Sequence, residues 1–331
     1  MNLADIILVN WNAGKQLADA IDSILCHHHG WVGRIIVVDN ASTDGSIELA
    51  ESRAASSPLE MVVIRNTENL GFAAACNLGA ERANHDFLLF LNPDACLYPD
   101  SLPKAMEFFS RPGNADVGIV GIQLLDEDGR VARSCARFPT AAIFLAQATG
   151  LNRLGRLASM NTHMSDWAHD STREVDHVIG AFYLIRKPLF DSLNGFDERF
   201  FVYLEDLDLS LRARQAGYRS VYLADAQAFH AGGGTSRQIK ATRLFYSLRS
   251  RLLYGFKHFS PWQAWLLVWV TFLLEPISRS VFAWRNKGRI GVANTWNAYA
   301  MLIGDFSGIR RLAKQKSSPT MARFRENRRL L

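Results

Sequence analysis

Phe87-Leu88-Leu89-Phe90-Leu91 runs straight into Asn92-Pro93-Asp94-Ala95. An apolar run this short, without polar alternation, predicts a strand buried on both faces, as in the sheet of an α/β protein. Pro93 has no N–H to give a central ladder, so the strand must end there. Asp94 then falls at the carboxyl end of a core strand, the edge where open α/β sheets bind ligands. A carboxylate at that place either holds a divalent cation, which in turn holds phosphates, or serves a turn or a helix cap.

The same pattern repeats around it. Ile6–Val9, Arg34–Val38 and Glu60–Ile64 read as strands, and residues 15–25 and 72–83 as helices. Ser42, Thr43 or Asp44 can cap the helix after the second strand. This βαβα order predicts a mostly parallel central sheet flanked by helices, with right-handed crossovers. Further on, Val117–Gly121, Val178–Ile185 and residues 219–223 read as strands, and 188–193 and 206–216 as helices. Residues 126–176 show little period and read as a long, loop-rich segment of the kind that is often functional.

The chain's 331 residues suffice for one large domain or two smaller ones. Cys26, Cys76, Cys96 and Cys135 lack CxxC spacing, which disfavours zinc and a disulfide framework and fits a reducing cytosol. Met1 to Asp5 lacks the basic and apolar regions of a signal peptide. Charge divides the chain sharply. Residues 1–234 hold 19 Lys/Arg against 29 Asp/Glu, net −10, and residues 235–331 hold 18 against 3, net +15. A basic tail favours an anionic partner: nucleic acid, anionic lipid or a diphosphate. Without a helix-turn-helix signal or interleaved aromatics, nucleic acid is disfavoured.

After Ser260-Pro261 the composition becomes apolar. Residues 262–274 hold Trp262, Trp265 and Trp269, and Glu275-Pro276 is expected to stop the run. Thirteen residues are too few to span a bilayer, which needs about 20. The Trp content and basic flanks favour an interfacial or re-entrant helix, with a buried core helix as the alternative. The expected division is therefore a domain over 1–257 and a helical, Trp-rich, basic, membrane-associating extension over 258–331.

Three acidic sites stand at strand ends or a helix start: Asp39, Asp94 and Glu205-Asp206-Leu207-Asp208. The first two should meet on one rim of the sheet. No GxGxxG follows the first strand and there is no P-loop, so a dinucleotide-binding Rossmann domain is disfavoured. His27-His28-His29 has no carboxylate partner nearby in sequence and reads as a solvated loop.

In order along the chain stand Ile7-Leu8-Val9-Asn10-Trp11-Asn12, Val37-Val38-Asp39-Asn40-Ala41-Ser42-Thr43-Asp44-Gly45-Ser46, Asn69-Leu70-Gly71-Phe72-Ala73, Leu91-Asn92-Pro93-Asp94-Ala95, Gly195-Phe196-Asp197-Glu198 and Glu205-Asp206-Leu207-Asp208-Leu209. This set resembles the family 2 glycosyltransferases of GT-A fold, most closely the bacterial rhamnosyltransferase-like branch, over residues 3 to about 257. The resemblance implies inverting transfer of a sugar from a nucleotide diphosphate-sugar to an acceptor hydroxyl. The best-fitting donor is dTDP-L-rhamnose, and the acceptor a polyprenyl-diphosphate-linked sugar or surface glycan, in cell-wall, O-antigen or exopolysaccharide synthesis. The enzyme would work in the cytoplasm, peripheral to the inner face of the plasma membrane.

The resemblance also assigns residues. Asn92-Pro93-Asp94 takes the place of the metal-binding DxD motif, with Asp94 as ligand to Mg²⁺ or Mn²⁺ and Asn92 toward ribose or diphosphate. With one carboxylate missing, the site should depend on bound substrate. His230 stands where relatives carry a second metal ligand, although a lone His is often structural. The following Gly232–Ser236 run offers backbone N–H groups to a diphosphate or is a plain loop. Asp206 matches the catalytic base and Glu205 can orient the acceptor; Asp208, at helical spacing, is expected to cap or pair structurally. Asp39 is implied to accept a pyrimidine N3–H and Trp11 to stack on the base, with Asn10, Asn69 and Gly71 alongside. Arg65 can touch the nucleotide, and Arg249 can clamp a diphosphate. The QxxRW of processive relatives is absent, favouring single-sugar addition. Arg133, Arg137 and Asp176 are candidates for the acceptor pocket. Open alternatives are an inactive sugar-nucleotide-binding module and a transferase using UDP-galactose, UDP-glucose or UDP-N-acetylglucosamine.

Overall fold

A computed structural model describes residues 2–153, 161–232 and 240–315. The N-terminal half alternates β1 (Ala4–Asn10), α1 (Lys15–His27), β2 (Val32–Asp39), α2 (Ser46–Ala54), β3 (Glu60–Arg65), α3 (Phe72–Ala80) and β4 (Phe87–Leu91). Then follow β5 (Ala95–Leu97), α4 (Ser101–Ser110), β6 (Val117–Leu125), β7 (Cys135–Ala136), α5 (Ala141–Thr149), β8 (Arg173–Val175) and β9 (His177–Val178). Last come β10 (Phe182–Arg186), α6 (Lys187–Ser192), α7 (Glu205–Gln215), β11 (Arg219–His230), α8 (Lys240–His258), α9 (Pro261–Trp269) and α10 (Glu275–Lys314).

Nine strands make one sheet in the order β3-β2-β1-β4-β10-β6-β11-β5, with β8 also on β11, and β7 and β9 form a separate ribbon. The β3-β2-β1-β4 half is parallel, as the βαβα pattern predicts. The other half is mixed, because β10 runs antiparallel to both β4 and β6. Both faces are covered. Ile6 and Leu8 enter one apolar core and Ile7 and Val9 the other. That two-sided burial explains why these strands read as unbroken apolar runs.

Three differences from the sequence reading matter. Val178–Ile185 is not one strand: β9 ends at Val178 and β10 starts at Phe182, with Gly180 between them turned toward α7. The loop-rich segment contains α5, whose N-terminus Thr140 caps by accepting from Ile143 N at 3.2 Å and whose end is the left-handed Gly150. Its Ala-rich, nearly all-apolar sequence hides the helical period. Finally, Glu275-Pro276 does not stop the tail helix. Val270–Leu274 forms a π turn just before Pro276, where the chain absorbs the missing N–H, and the helix continues.

The tail joins the body of the protein. A third apolar core holds Phe200 and Leu207 together with Leu248 and Leu252 of α8, Leu267 of α9 and Tyr299 and Leu302 of α10. His27 and His29 are exposed as expected of a solvated loop, but His28 is fully buried where it ends α1, its N–H bonded to Ile24 O.

Candidate active site

The carboxyl ends of β1 and β2 lie side by side, Asn10 opposite Asp39. Asn10 Nδ2 donates to Asp39 Oδ1 at 2.7 Å, and Ser42 N donates to Asp39 Oδ2 at 3.1 Å. Asp39 is therefore a buried, pre-oriented acceptor at the rim. Trp11, the next residue after Asn10, is exposed rather than in the core. Asn69 Oδ1 accepts from Gly71 N at 2.9 Å, and Asn40 donates to Gly71 O at 3.2 Å. Gly71 has φ of +85°, and a Cβ there would stand 2.4 Å from Phe201 O. Only glycine permits that approach, which lets Phe72 N bond Phe201 O at 2.7 Å.

Asp94 and His230 are far apart in sequence but adjacent in space. The short β5, directly after Asp94, pairs antiparallel with the end of β11, matching His230 to Ala95. His230 Nε2 comes 3.3 Å from Asp94 Oδ1, and Asn92 Nδ2 lies 3.5 Å from the same nitrogen. β11 reaches this place only because its register slips between Leu223 and Gln227, a bulge that hid its second half from the sequence reading. One carboxylate and one imidazole suit Mg²⁺ or Mn²⁺. No cluster of three or more His, Cys, Asp or Glu able to hold a metal occurs among the described residues. Asp94 and His230 together offer one carboxylate and one imidazole as donors. Gly233–Ser236 of the glycine run lies outside the described residues.

The second acidic group is linked to this rim by backbone. Asn92 N donates to Ala181 O at 3.1 Å, and the neighbouring Gly180 N donates to Asp206 Oδ2 at 2.9 Å. Leu207 N donates to Asp206 Oδ1 at 2.8 Å, and His177 Nε2 stands 3.4 Å from Oδ2. Burial opposes ionisation of Asp206. His177 and the two backbone N–H groups outweigh it and hold the carboxyl below its ordinary value. Glu205 is the reverse case. It is buried, its Oε2 has no hydrogen-bond partner, and burial and then the Asp206 charge raise its carboxyl well above the ordinary range. The two neighbouring carboxyls are thus pushed in opposite directions. Tyr203 and Leu204, just before them, both have φ near +70° (69° and 67°), a strained entry that sets where α7 begins.

Other expected site residues have different occupations. Asp208 pairs with Arg212 Nε at 2.8 Å, Lys257 at 2.6 Å and His258 Nε2 at 2.7 Å, the structural role foreseen for it. Arg249 Nε donates to Asp305 at 2.9 Å and its Nη1 to Arg199 O at 3.1 Å, so the guanidinium ties α8 to α10. The diphosphate contact expected of Arg249 would have to be made alongside these two. Arg65 pairs with Glu51. Arg133 bonds Ser165 O, Arg137 pairs with Asp166, and Asp176 accepts from Phe138 N, so all three stitch the middle segment together. Sequence reasoning missed Gly180 and His177. The only available sign was a glycine inside an apparent strand, which marks a break or a close backbone approach.

The family model described as "Glycosyl transferase family 2" matches residues 5–156, and that described as "Glycosyl transferase family group 2" matches residues 87–304. The chain belongs to the family 2 glycosyltransferases. Within them it falls in the rhamnosyltransferase-like branch. It is 28% identical over 275 residues to an N-acetylglucosaminyl-diphospho-decaprenol L-rhamnosyltransferase of Mycobacterium tuberculosis, covering 80% of this chain and 87% of that protein. It is 26% identical over 240 residues to the O-antigen chain rhamnosyltransferase RfbN of Salmonella typhimurium, covering 70% and 68%. In fold it is similar to the mannosyltransferase PcManGT of Pyrobaculum calidifontis, solved with GDP-Man and Mn²⁺. The TM-score is 0.54 at 17% identity, over 94% of this chain and 85% of that one. The fold is GT-A, as the motifs implied.

Proposed function

We propose that the chain transfers L-rhamnose from dTDP-L-rhamnose, with inversion, to a hydroxyl of a polyprenyl-diphosphate-linked sugar or glycan. The observation that carries this reading is the continuous contact path His230–Asn92–Ala181–Gly180–Asp206. It links the Asp94–His230 pair to Asp206 through two backbone hydrogen bonds, which supports reading them as one site. The rhamnosyltransferase relatives support the sugar, and the decaprenol-linked substrate in one relative's name supports the acceptor class.

Each group has a chemical part. Asp39 and Asn10, with Trp11 beside them, suit the pyrimidine base. Asp94 and His230 would hold Mg²⁺ or Mn²⁺, which when bound neutralises charge developing on the leaving diphosphate. Asp206 takes the proton of the acceptor hydroxyl as that oxygen bonds to the anomeric carbon. The carbon–oxygen bond to the diphosphate breaks, and its electron pair leaves with the nucleotide. Glu205, whose burial disfavours its charged form, would keep a second negative charge from building up beside Asp206.

The tail supports a membrane partner. Pro261–Asn286 is the one helix among the described residues long and apolar enough to cross a membrane. Its Ala264, Leu267, Val268, Thr271 and Glu275 are buried, while Trp262, Leu266, Trp269, Leu273, Ile277, Val281 and Trp284 are exposed. The exposed set recurs every three or four residues and makes a stripe about 33 Å long. We read this helix, with one face packed on its own protein and the other apolar, as one that seats that stripe in a membrane interface.

The test is a donor screen with purified full-length protein, a polyprenyl-diphospho-N-acetylglucosamine acceptor, and dTDP-rhamnose against UDP- and GDP-sugars, with and without Mn²⁺. Asp206→Asn should abolish transfer while dTDP binding persists. Undiminished transfer by that variant would refute the base, and transfer from a UDP-sugar alone would refute the donor.

A further inference from the structure

We infer that His177 is a positioning residue for Asp206, the last link of a buried chain Tyr183–Ser210–His177–Asp206 that fixes the carboxylate's orientation. The inference rests on Asp206 acting as the base.

The hydrogen inventory argues for it. Ser210 Oγ lies 3.0 Å from His177 Nδ1, 3.0 Å from Tyr183 Oη and 3.0 Å from Asp206 O. Asp206 accepts from two backbone N–H groups and is ionised, so His177 Nε2 must bring a hydrogen to Oδ2. Ser210 has one hydrogen and two acceptors within reach, the imidazole Nδ1 and the Asp206 carbonyl. In either choice Tyr183 donates to Ser210. If Ser210 donates to Nδ1, the imidazole is neutral. If it donates to the carbonyl, Nδ1 carries its own hydrogen and the ring is cationic. The heavy atoms serve both settings, and in both Nε2 carries a hydrogen and stands 3.4 Å from Asp206 Oδ2.

The strand break between β9 and β10 explains the arrangement. It delivers His177 and the Gly180 N–H to the same carboxylate oxygen from one short segment. A Cβ at position 180 would stand 3.1 Å from Oδ2, so the backbone's approach is part of the design. His177, Tyr183 and Ser210 are all buried. The titratable groups around the imidazole are Asp206 and its neighbour Glu205 on α7, Tyr183 on β10, and His163 from the middle segment. In the transfer step the acceptor's proton passes to Asp206, and His177 neither gains nor loses one.

The experiment compares His177→Leu, His177→Gln and wild type, full length, with dTDP-rhamnose and the lipid-linked acceptor. The Leu variant should lose about 10- to 100-fold in kcat, the effect of one hydrogen bond to a charged group. Calorimetric affinity for dTDP should stay within about two-fold. The acid limb of its kcat profile should move to higher pH, because the carboxylate loses a donor that favours its ionised form. The Gln variant keeps an N–H donor and should recover most of kcat. Unchanged kcat and acid limb in the Leu variant would overturn the inference. So would equal losses in both variants accompanied by weakened dTDP binding. Ser210→Ala, with the same readouts in milder form, serves if the Leu variant does not fold. Should wild type transfer no sugar from any donor, the base assignment falls, and the pairing is read directly by ¹⁵N-histidine NMR. Asp206→Asn must then move the His177 ring-nitrogen resonances, and resonances left in place would sink the pairing itself.

Discussion

Glu275 and Arg251 form the deepest ion pair in the protein, and its removal tests whether the tail is structural. Glu275 is fully buried and Arg251 nearly so, with Nη1 to Oε1 at 3.0 Å and a second, shorter contact from Nη2 to Oε2. Arg251 Nη2 also donates to Thr271 Oγ1 at 2.9 Å, and Arg279 Nε to Glu275 Oε1 at 2.8 Å. The pair therefore has unequal insurance. Glu275→Leu leaves Arg251 buried with one hydroxyl, and an unpaired buried charge costs about 3–5 kcal/mol. Arg251→Met leaves Glu275 still facing Arg279, and the loss should be smaller, roughly 2 kcal/mol. Replacing both removes two desolvated charges at once, so Arg251→Met/Glu275→Leu should return to within about 1 kcal/mol of wild type. Urea unfolding, followed by tryptophan fluorescence and circular dichroism, reads all four proteins. A double variant as unstable as Glu275→Leu alone would refute the reasoning, as would a Glu275→Leu loss below about 1 kcal/mol.

Two further outcomes are expected. His28 is buried at the end of α1, and burial, then the neighbouring His27 charge, lower its ring to about 4 from 6.5. The unfolded chain then binds the extra proton between pH 6.5 and about 4, so stability should fall as pH drops through that window, by at most roughly 3 kcal/mol. His28→Leu should flatten that slope in urea titrations at stepped pH, and an unchanged slope would assign it elsewhere. For the tail, Trp262→Ser/Trp269→Ser/Trp284→Ser should lose flotation with vesicles containing phosphatidylglycerol while keeping the wild-type melting temperature. Deleting residues 260–331 is a poorer test, because Leu267, Tyr299 and Leu302 belong to the core; a triple variant that still floats would remove the membrane reading.

What the sequence disclosed was what is local. Phe87–Leu91 and its Asn-Pro-Asp end, Asp39 after β2, and the acidic opening of α7 each announce themselves within ten residues. The first four strands were legible because two-sided burial makes them continuous apolar runs. What stayed hidden depends on distant pairing. β11 looks like a five-residue strand until β5 supplies a partner for Ala228–His230 beyond its bulge. β9 and β10 look like one strand, since nothing nearby says that Gly180 must turn to meet Asp206. The pairing of Arg249 with Asp305 was unreadable because the two lie 56 residues apart. Glu275 looked like a stop because a buried carboxylate is unreadable without Arg251.

These long-range pairings also connect the chemistry to the tail. Asp206 lies in the first turn of α7, and Asp208, in the same turn, is gripped by Lys257 and His258 at the last turn of α8. Lys257 also holds Asp197, which pairs with Arg199, and Arg199 in turn donates to Gln315 O at 2.7 Å at the end of α10. Burial opposes ionisation of Asp208, but His258, Arg212 and Lys257 hold its carboxyl far below the ordinary range, so the grip persists at any physiological pH. Three residues after His258 the apolar helix begins. Asp206 and the exposed tryptophan stripe are thus joined through one short ionic relay and a shared core, with only two residues between α8 and α9. A surface that seats the stripe therefore fixes the height and tilt of the Asp206 rim above it. On the proposed function, a soluble nucleotide donor and a membrane-held acceptor would then meet at that carboxylate.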